Sequence, residues 1–213
     1  MSIPMLLLVA LASPNAQEKQ QVNGAKGGAN VTVLVASPEL DDVMIELGEK
    51  DFDVHYGAPS RTHSIRKNSV RLVATQDDMT VQQDLKLQDN TSCVVVLWLD
   101  QSRLEATVLN AHWVPDQAHV KVFNAAADLT GTDLSVDGKK SDRPVMRVGE
   151  ITDMALPAGS HLVEFQAAGK SLLSRKLDLK ADFCYQLVAI GRKSGSPELE
   201  LVVIQQPRPA VHN

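Results

Sequence analysis

The sequence predicts an all-β chain of two tandem antiparallel β-sandwich (Ig-like) domains following an N-terminal signal segment. Three observations predict it. One module of about 90 residues is written twice. Both copies alternate apolar and polar residues with the period of strands, punctuated by turn residues. The N-terminal apolar run is too short to cross a bilayer.

The first element is Met1-Ser-Ile-Pro-Met-Leu-Leu-Leu-Val-Ala-Leu-Ala12, about ten apolar residues ending in the small-residue site Ala10-Leu11-Ala12. A spanning helix needs about 20 such residues, so the run reads as a signal-peptide core and implies an exported protein. No Lys or Arg precedes the run, and a buried N-terminal strand is the alternative reading. Ser13 to Asn30 is rich in Gln, Asn, Gly and Ala without apolar periodicity, the composition of a flexible leader. Signal and leader together take residues 1–28.

The duplication is read from three matches. Val31-Thr-Val-Leu-Val-Ala-Ser-Pro38 and Val120-Lys-Val-Phe-Asn-Ala-Ala-Ala127 are both strands running into small residues. Arg71-Leu-Val-Ala-Thr-Gln76 matches His161-Leu-Val-Glu-Phe-Gln166, and Leu85-Lys-Leu87 with Cys93 matches Leu177-Asp-Leu179 with Cys184. A period near 90 is too long for a solenoid repeat, so each copy is expected to be a domain: 29–114 and 118–209. The connection Ala111-His-Trp-Val-Pro-Asp-Gln117 is short and limits relative motion.

Within each copy about seven short strands are expected, with no long helical stretch. Asp137-Gly138 signals a hairpin, because Gly accepts the positive φ of a tight turn. Leu156-Pro-Ala-Gly159 is a second turn with Gly at a left-handed position. Met79 to Leu87 has partial helical spacing, but its counterpart Ser171 to Leu179 alternates, so both are read as strands. The last strand pairs are Cys93–Leu99 with Glu105–Leu109 and Cys184–Ile190 with Glu198–Ile204.

Composition excludes several functions. With 213 residues, 44% hydrophobic and 22% charged, the chain can build a core and is not disordered throughout. A net charge of -5 and no basic run longer than a pair argue against nucleic acid or anionic membranes as partners. Aromatic residues are 4% of the chain, which makes the core aliphatic and argues against a sugar-stacking lectin. Trp98 lies in a strand that reads as buried. Trp113, beside the connection, is the one platform for a glycan or partner contact, with core or interface packing as the plainer role for both.

No Gly-x-Ser-x-Gly elbow is present. Ser160 and His161 are neighbours, but adjacent strand residues point to opposite faces and cannot easily share a proton, so they read as a turn serine and a surface histidine. His55, His63, His112, His119, His161 and His212 show no metal-ligand spacing, and no metal or cofactor is expected. Glu39-Leu-Asp-Asp42 and Asp77-Asp78 read as solvated turns, without a full calcium-loop motif. Gly24-Ala-Lys-Gly-Gly28 precedes a strand and is no phosphate cradle. Cys93 and Cys184, the only cysteines, read as two buried free thiols at equivalent positions; an interdomain disulfide is the alternative.

Several pieces together resemble a known family. The export signal, two sandwich modules, the opening strand Val120-Lys-Val-Phe-Asn-Ala125, the late strand Tyr185-Gln-Leu-Val188 and the Pro-rich end Gln206-Pro-Arg-Pro209 resemble AlgF. That family is the periplasmic accessory protein of alginate O-acetylation. The resemblance covers about residues 29 to 209, and the first module departs from it with Val35-Ala36 in place of Asn-Ala. Leu156-Pro-Ala-Gly-Ser-His-Leu-Val-Glu164 is also similar to a wider group of exported sandwich domains.

The resemblance implies a non-catalytic, exported and periplasmic adaptor in O-acetylation of an exopolysaccharide (alginate-like), bridging acetyltransferase components, with no catalytic residue to transfer by position. Its partners would be periplasmic and membrane-associated acetyltransferase proteins, with polysaccharide a further candidate. The rival reading is an exported carbohydrate-binding or adhesion module without an acetylation partner. An O-acetyltransferase acting through Ser160 is the third.

Overall fold

The structure is a computed structural model in which residues 28–141, 146–193 and 196–209 are described. The expected signal and leader lie outside the described residues except for Gly28, as does His212. No helix among the described residues is long and apolar enough to cross a membrane.

The described chain is all-β, two four-stranded sheets to each of two sandwiches. The first holds β1 (Ala29–Val35), β2 (Asp42–Leu47), β3 (Lys50–His55), β4 (His63–Ile65), β5 (Ser69–Gln76), β6 (Met79–Lys86), β7 (Ser92–Asp100) and β8 (Arg103–Asn110). The second holds β9 (Ala118–Asn124), β10 (Asp133–Val136), β11 (Lys139–Lys140), β12 (Ile151–Leu156), β13 (Gly159–Ala167), β14 (Lys170–Leu179), β15 (Phe183–Ile190) and β16 (Glu200–Pro207). Each module therefore has eight strands where about seven are expected. A single 3-10 turn, Ala127–Leu129, follows β9.

Topology establishes the tandem architecture more firmly than residue matches do. The first module's sheets run β4-β1-β7-β8 and β3-β2-β5-β6; the second's run β12-β9-β15-β16 and β11-β10-β13-β14. Adding eight to every strand number converts one module into the other. The pairings are antiparallel except one in each module, β1 with β7 and β9 with β15, which are parallel. A parallel pair needs a long crossover, here supplied by the strands between them that build mostly the facing sheet.

Register corrects the sequence alignment. Val31 pairs with Cys93 and Val120 with Tyr185, so Cys93 corresponds to Tyr185 and Cys184 to Ser92. The cysteines are not equivalent: Cys93 faces the first sandwich's core, whereas Cys184 points away from the second's. Val70, Leu72 and Ala74 line one core and His161, Val163 and Phe165 the other, so that match is also one residue out. Because side chains alternate with period two, a one-residue slip exchanges the faces.

Each sandwich has its own core. Val31, Val33, Ile45, Leu47, Leu72, Val95 and Leu97 are among the residues filling the first, and Val120, Val122, Leu134, Val163, Phe165, Tyr185 and Leu187 among those filling the second. A third apolar cluster joins them: Leu34, Val94, Val96, Trp98 and Leu109 meet Phe123, Val188, Ile190 and Val202. The sheets β4-β1-β7-β8 and β12-β9-β15-β16 are thus buried on both faces at their centres. This explains why β7 (Cys-Val-Val-Val-Leu-Trp) reads as a continuous apolar run rather than an alternation.

Candidate functional site

Ser160 and His161 begin β13, and the structure separates them as the strand period requires. Ser160 is exposed, and His161 is buried rather than on the surface. The reason lies in the turns beside it. His161 Nδ1 is 2.7 Å from Asp137 Oδ2 and Nε2 is 2.9 Å from the Pro157 carbonyl oxygen. The other Asp137 oxygen accepts the Leu162 amide at 2.8 Å. Asp137 and Gly138 have φ of 52° and 74°, as a two-residue hairpin turn demands. The Leu162 amide, then His161, hold the Asp137 carboxyl below its ordinary range. His161 is a clasp between two turns, with neither ring nitrogen turned to Ser160.

The other histidines divide similarly. His55 pairs with Asp42 across β2 and β3 on the surface. His63 stacks on Phe52, ring centroids 4.1 Å apart, and burial lowers its pKa. Asp77, φ 50°, makes the β5–β6 turn, as expected of Asp77-Asp78. Of Glu39-Leu-Asp-Asp42, Leu40 is fully buried, while Glu39 reaches across to pair with Arg192 of the second module.

One cluster gathers chemistry-bearing side chains, beneath the connection between modules. The parallel pairing of β9 with β15 sets His119 directly beside Cys184, and the antiparallel pairing of β12 with β9 brings Asp153 alongside. His119 Nδ1 is 3.8 Å from Cys184 Sγ, and its Nε2 is 3.5 Å from Asp153 Oδ1. Lys121 Nζ pairs with the same carboxylate at 2.7 Å. From the connection, the His112 ring meets the His119 ring edge-on with centroids 5.1 Å apart.

Burial decides the state of these groups. It lowers the pKa of His119, the Asp153 charge opposing and Lys121 assisting. It raises that of the Cys184 thiol, against the His112 amide and Lys121. A neutral imidazole thus faces a neutral thiol, and Cys184 is 0% exposed, so no substrate reaches the sulfur as a nucleophile. The Cys93 thiol, buried in the first core, is pushed up to about 12. Both cysteines are free. Among the described residues no group of three or more His, Cys, Asp or Glu side chains is placed to hold a metal ion as the side chains stand.

Trp113, the expected glycan or partner contact, lies half-buried in the same connection. Its indole N–H donates to the Gln206 carbonyl oxygen at 3.2 Å, tying the connection to β16. Trp98 is buried between the modules, as its strand predicts. The His119–Cys184–Asp153 grouping escaped the sequence because its members are 31 to 65 residues apart, with no local spacing. The visible signal was the pair of matched opening and late strands, once placed in parallel register.

No protein-family model matches the chain, and no curated protein sequence matches it. Among solved structures, a putative cell adhesion protein from Bacteroides uniformis is similar at a TM-score of 0.29 and 11% identity, over 89% of this chain and 100% of that one. A second putative cell adhesion protein, from Bacteroides eggerthii, is similar at a TM-score of 0.25 and 7% identity, over 87% of this chain and 98% of that one. Likeness of this degree transfers neither a fold nor a function, and the chain's architecture rests on its own sheets.

Proposed function

We propose that the protein is a non-catalytic, exported adaptor that holds partner proteins at the edges of a stiff pair of sandwiches. The observation that carries this reading is the edge strand β14. It spans ten residues at the end of the order β11-β10-β13-β14 and pairs only with β13. Such an edge has unpaired backbone groups able to receive a partner strand. The clasping role of His161 and the inaccessible sulfur of Cys184 support a role without covalent catalysis.

The resemblance to AlgF directs the finer reading: periplasmic and membrane-associated components of exopolysaccharide O-acetylation are the partners. The test is photocrosslinking in the native host from a reactive group placed at the exposed Ser174 of β14, with the exposed Glu46 of the inner strand β2 as the comparison position. Recovery of an acyltransferase or polysaccharide-assembly protein from Ser174 is expected. Crosslinks to no such protein would remove the adaptor reading.

The half-exposed Trp113 favours one second reading, an exported carbohydrate-binding or adhesion module. Its mark would be glycan binding that disappears in Trp113→Ala while the far-ultraviolet circular dichroism is kept.

A further inference from the structure

The geometry points to a soft-metal site, for Zn²⁺ or Cu⁺, formed by Cys184 Sγ, His119 Nδ1 and the ring of His112. Two separations match what one tetrahedral ion imposes. Thiolate and imidazole ligands at zinc bond lengths lie about 3.5 Å apart, and Sγ and Nδ1 are 3.8 Å apart. Two imidazoles sharing such an ion place their ring centroids about 5 Å apart, and those of His112 and His119 are 5.1 Å apart.

The surroundings have the character of a metal's outer shell. His119 is 6% exposed, and its Nδ1 has no partner but the sulfur, while its Nε2 faces the Asp153 carboxylate. A carboxylate behind a histidine fixes which nitrogen ligates and raises its basicity. Lys121 holds that carboxylate in place, its Nζ 2.7 Å from Asp153 Oδ1. Asp153 stays an orienting group in this arrangement.

One movement completes the set. His112 is exposed and lies in the connection, so its ring can turn about its own torsions to bring a nitrogen into line. It also gives a small ion the approach that the buried sulfur denies to a substrate. Three protein ligands leave a fourth position for water or a donor from a partner. The donor set of one sulfur and two nitrogens suits Zn²⁺ or Cu⁺ over Mg²⁺ or Ca²⁺. The first module is an internal control: at the same registered positions it carries Asn30 and Ser92, and no thiol–imidazole pair.

The test is titration of the reduced full chain with Co²⁺ alone, read by absorption. The expected result is one equivalent bound, with a thiolate-to-cobalt charge-transfer band and the visible bands of tetrahedral cobalt. Both are lost in Cys184→Ser and His119→Ala and kept in Cys93→Ala and His161→Asn. Asp153→Asn is expected to weaken binding about 10- to 100-fold while leaving the bands in place. His112→Ala, at an exposed position, is expected to weaken it further and alter the visible bands, with far-ultraviolet circular dichroism confirming that the variant is folded. Absence of the charge-transfer band in the parent chain, its survival in Cys184→Ser, or unchanged spectrum and affinity in His112→Ala would each overturn the site.

Discussion

Trp98 of the first sandwich meets Phe123 of the second edge-on, with ring centroids 5.9 Å apart and planes at 72°. The contact lies inside the apolar cluster that joins the modules, and edge-on pairs contribute about 0.5–1.5 kcal/mol beyond the area they bury. The two sandwiches therefore share a core boundary instead of hanging on a tether. Trp98→Ala is expected to cost about 3–5 kcal/mol, as large-to-small changes in cores do. Because the loss falls between modules, chemical denaturation should change from one transition toward two. A single unshifted transition would count against a joint core.

Gly149 sits under the same indole, with φ of 81° and a built Cβ only 2.8 Å from Trp98 Cη2. Gly149→Ala is therefore expected to destabilise by backbone strain and by contact. In a Trp98→Ala background the contact disappears and the strain remains. The double-mutant cycle should show coupling of about 0.5–3 kcal/mol, with the second substitution costing less in the truncated background. Strict additivity would place the indole elsewhere.

Asp137 gives a pH prediction. Its carboxyl titrates below its ordinary range in the folded chain because the Leu162 amide and His161 favour the ionised form. A depressed folded pKa contributes stability that is fully present above the unfolded value of about 3.9. That contribution is lost as pH falls through the folded value. Asp137→Asn keeps a residue suited to positive φ and a carbonyl for the Leu162 amide, but removes the charge. Thermal unfolding between pH 2 and 7 should show a shallower acid decline in the variant than in the parent.

How far the sequence was legible depends on which interactions were local. Asp137-Gly138 and Gly159 announced their turns because positive φ restricts the residue at its own position. Leu85-Lys-Leu87 and Leu177-Asp-Leu179 aligned correctly because both carry the same buried, exposed, buried pattern. The cysteines misaligned because β7 and β15 are buried on both faces, so their apolar runs no longer mark which residues face the core. His161 read as a surface residue because its partners, Asp137 and Pro157, come from two other turns. The His119–Cys184 neighbourhood depended on a parallel pairing that no local pattern encodes.

The two thiols should report their burial directly. Cys93 and Cys184 are 2% and 0% exposed, and burial raises both pKa values. In the native, metal-free protein, neither should react with a disulfide reagent at neutral pH, and two should react after denaturation. Zero after denaturation would mean the cysteines are joined. A raised folded pKa gives stability that is full below the unfolded thiol value of about 8.5 and is lost as pH rises toward the folded one. Cys93→Ala should accordingly flatten the alkaline decline.

Gln186 supplies the sharpest test of how the modules meet. Its side chain is fully buried and donates from Nε2 to the carbonyl oxygen of Leu109, in the other module, at 2.6 Å. The corresponding residue of the first module is Val94, also buried in the joining cluster, so only one side of the interface carries this polar contact. Gln186→Glu is nearly isosteric but sets a carboxylate where a donor must be, against a carbonyl oxygen. At pH 7 the variant should lose several kcal/mol, because a buried charge facing an acceptor is uncompensated. Burial raises the folded pKa of such a group, so the penalty is small at acid pH, where its O–H can donate, and grows as pH rises past the unfolded value of about 4.3. Gln186→Leu, with no charge to titrate, should show a loss independent of pH in that range. Parallel pH profiles for the two variants would show that Gln186 does not face Leu109.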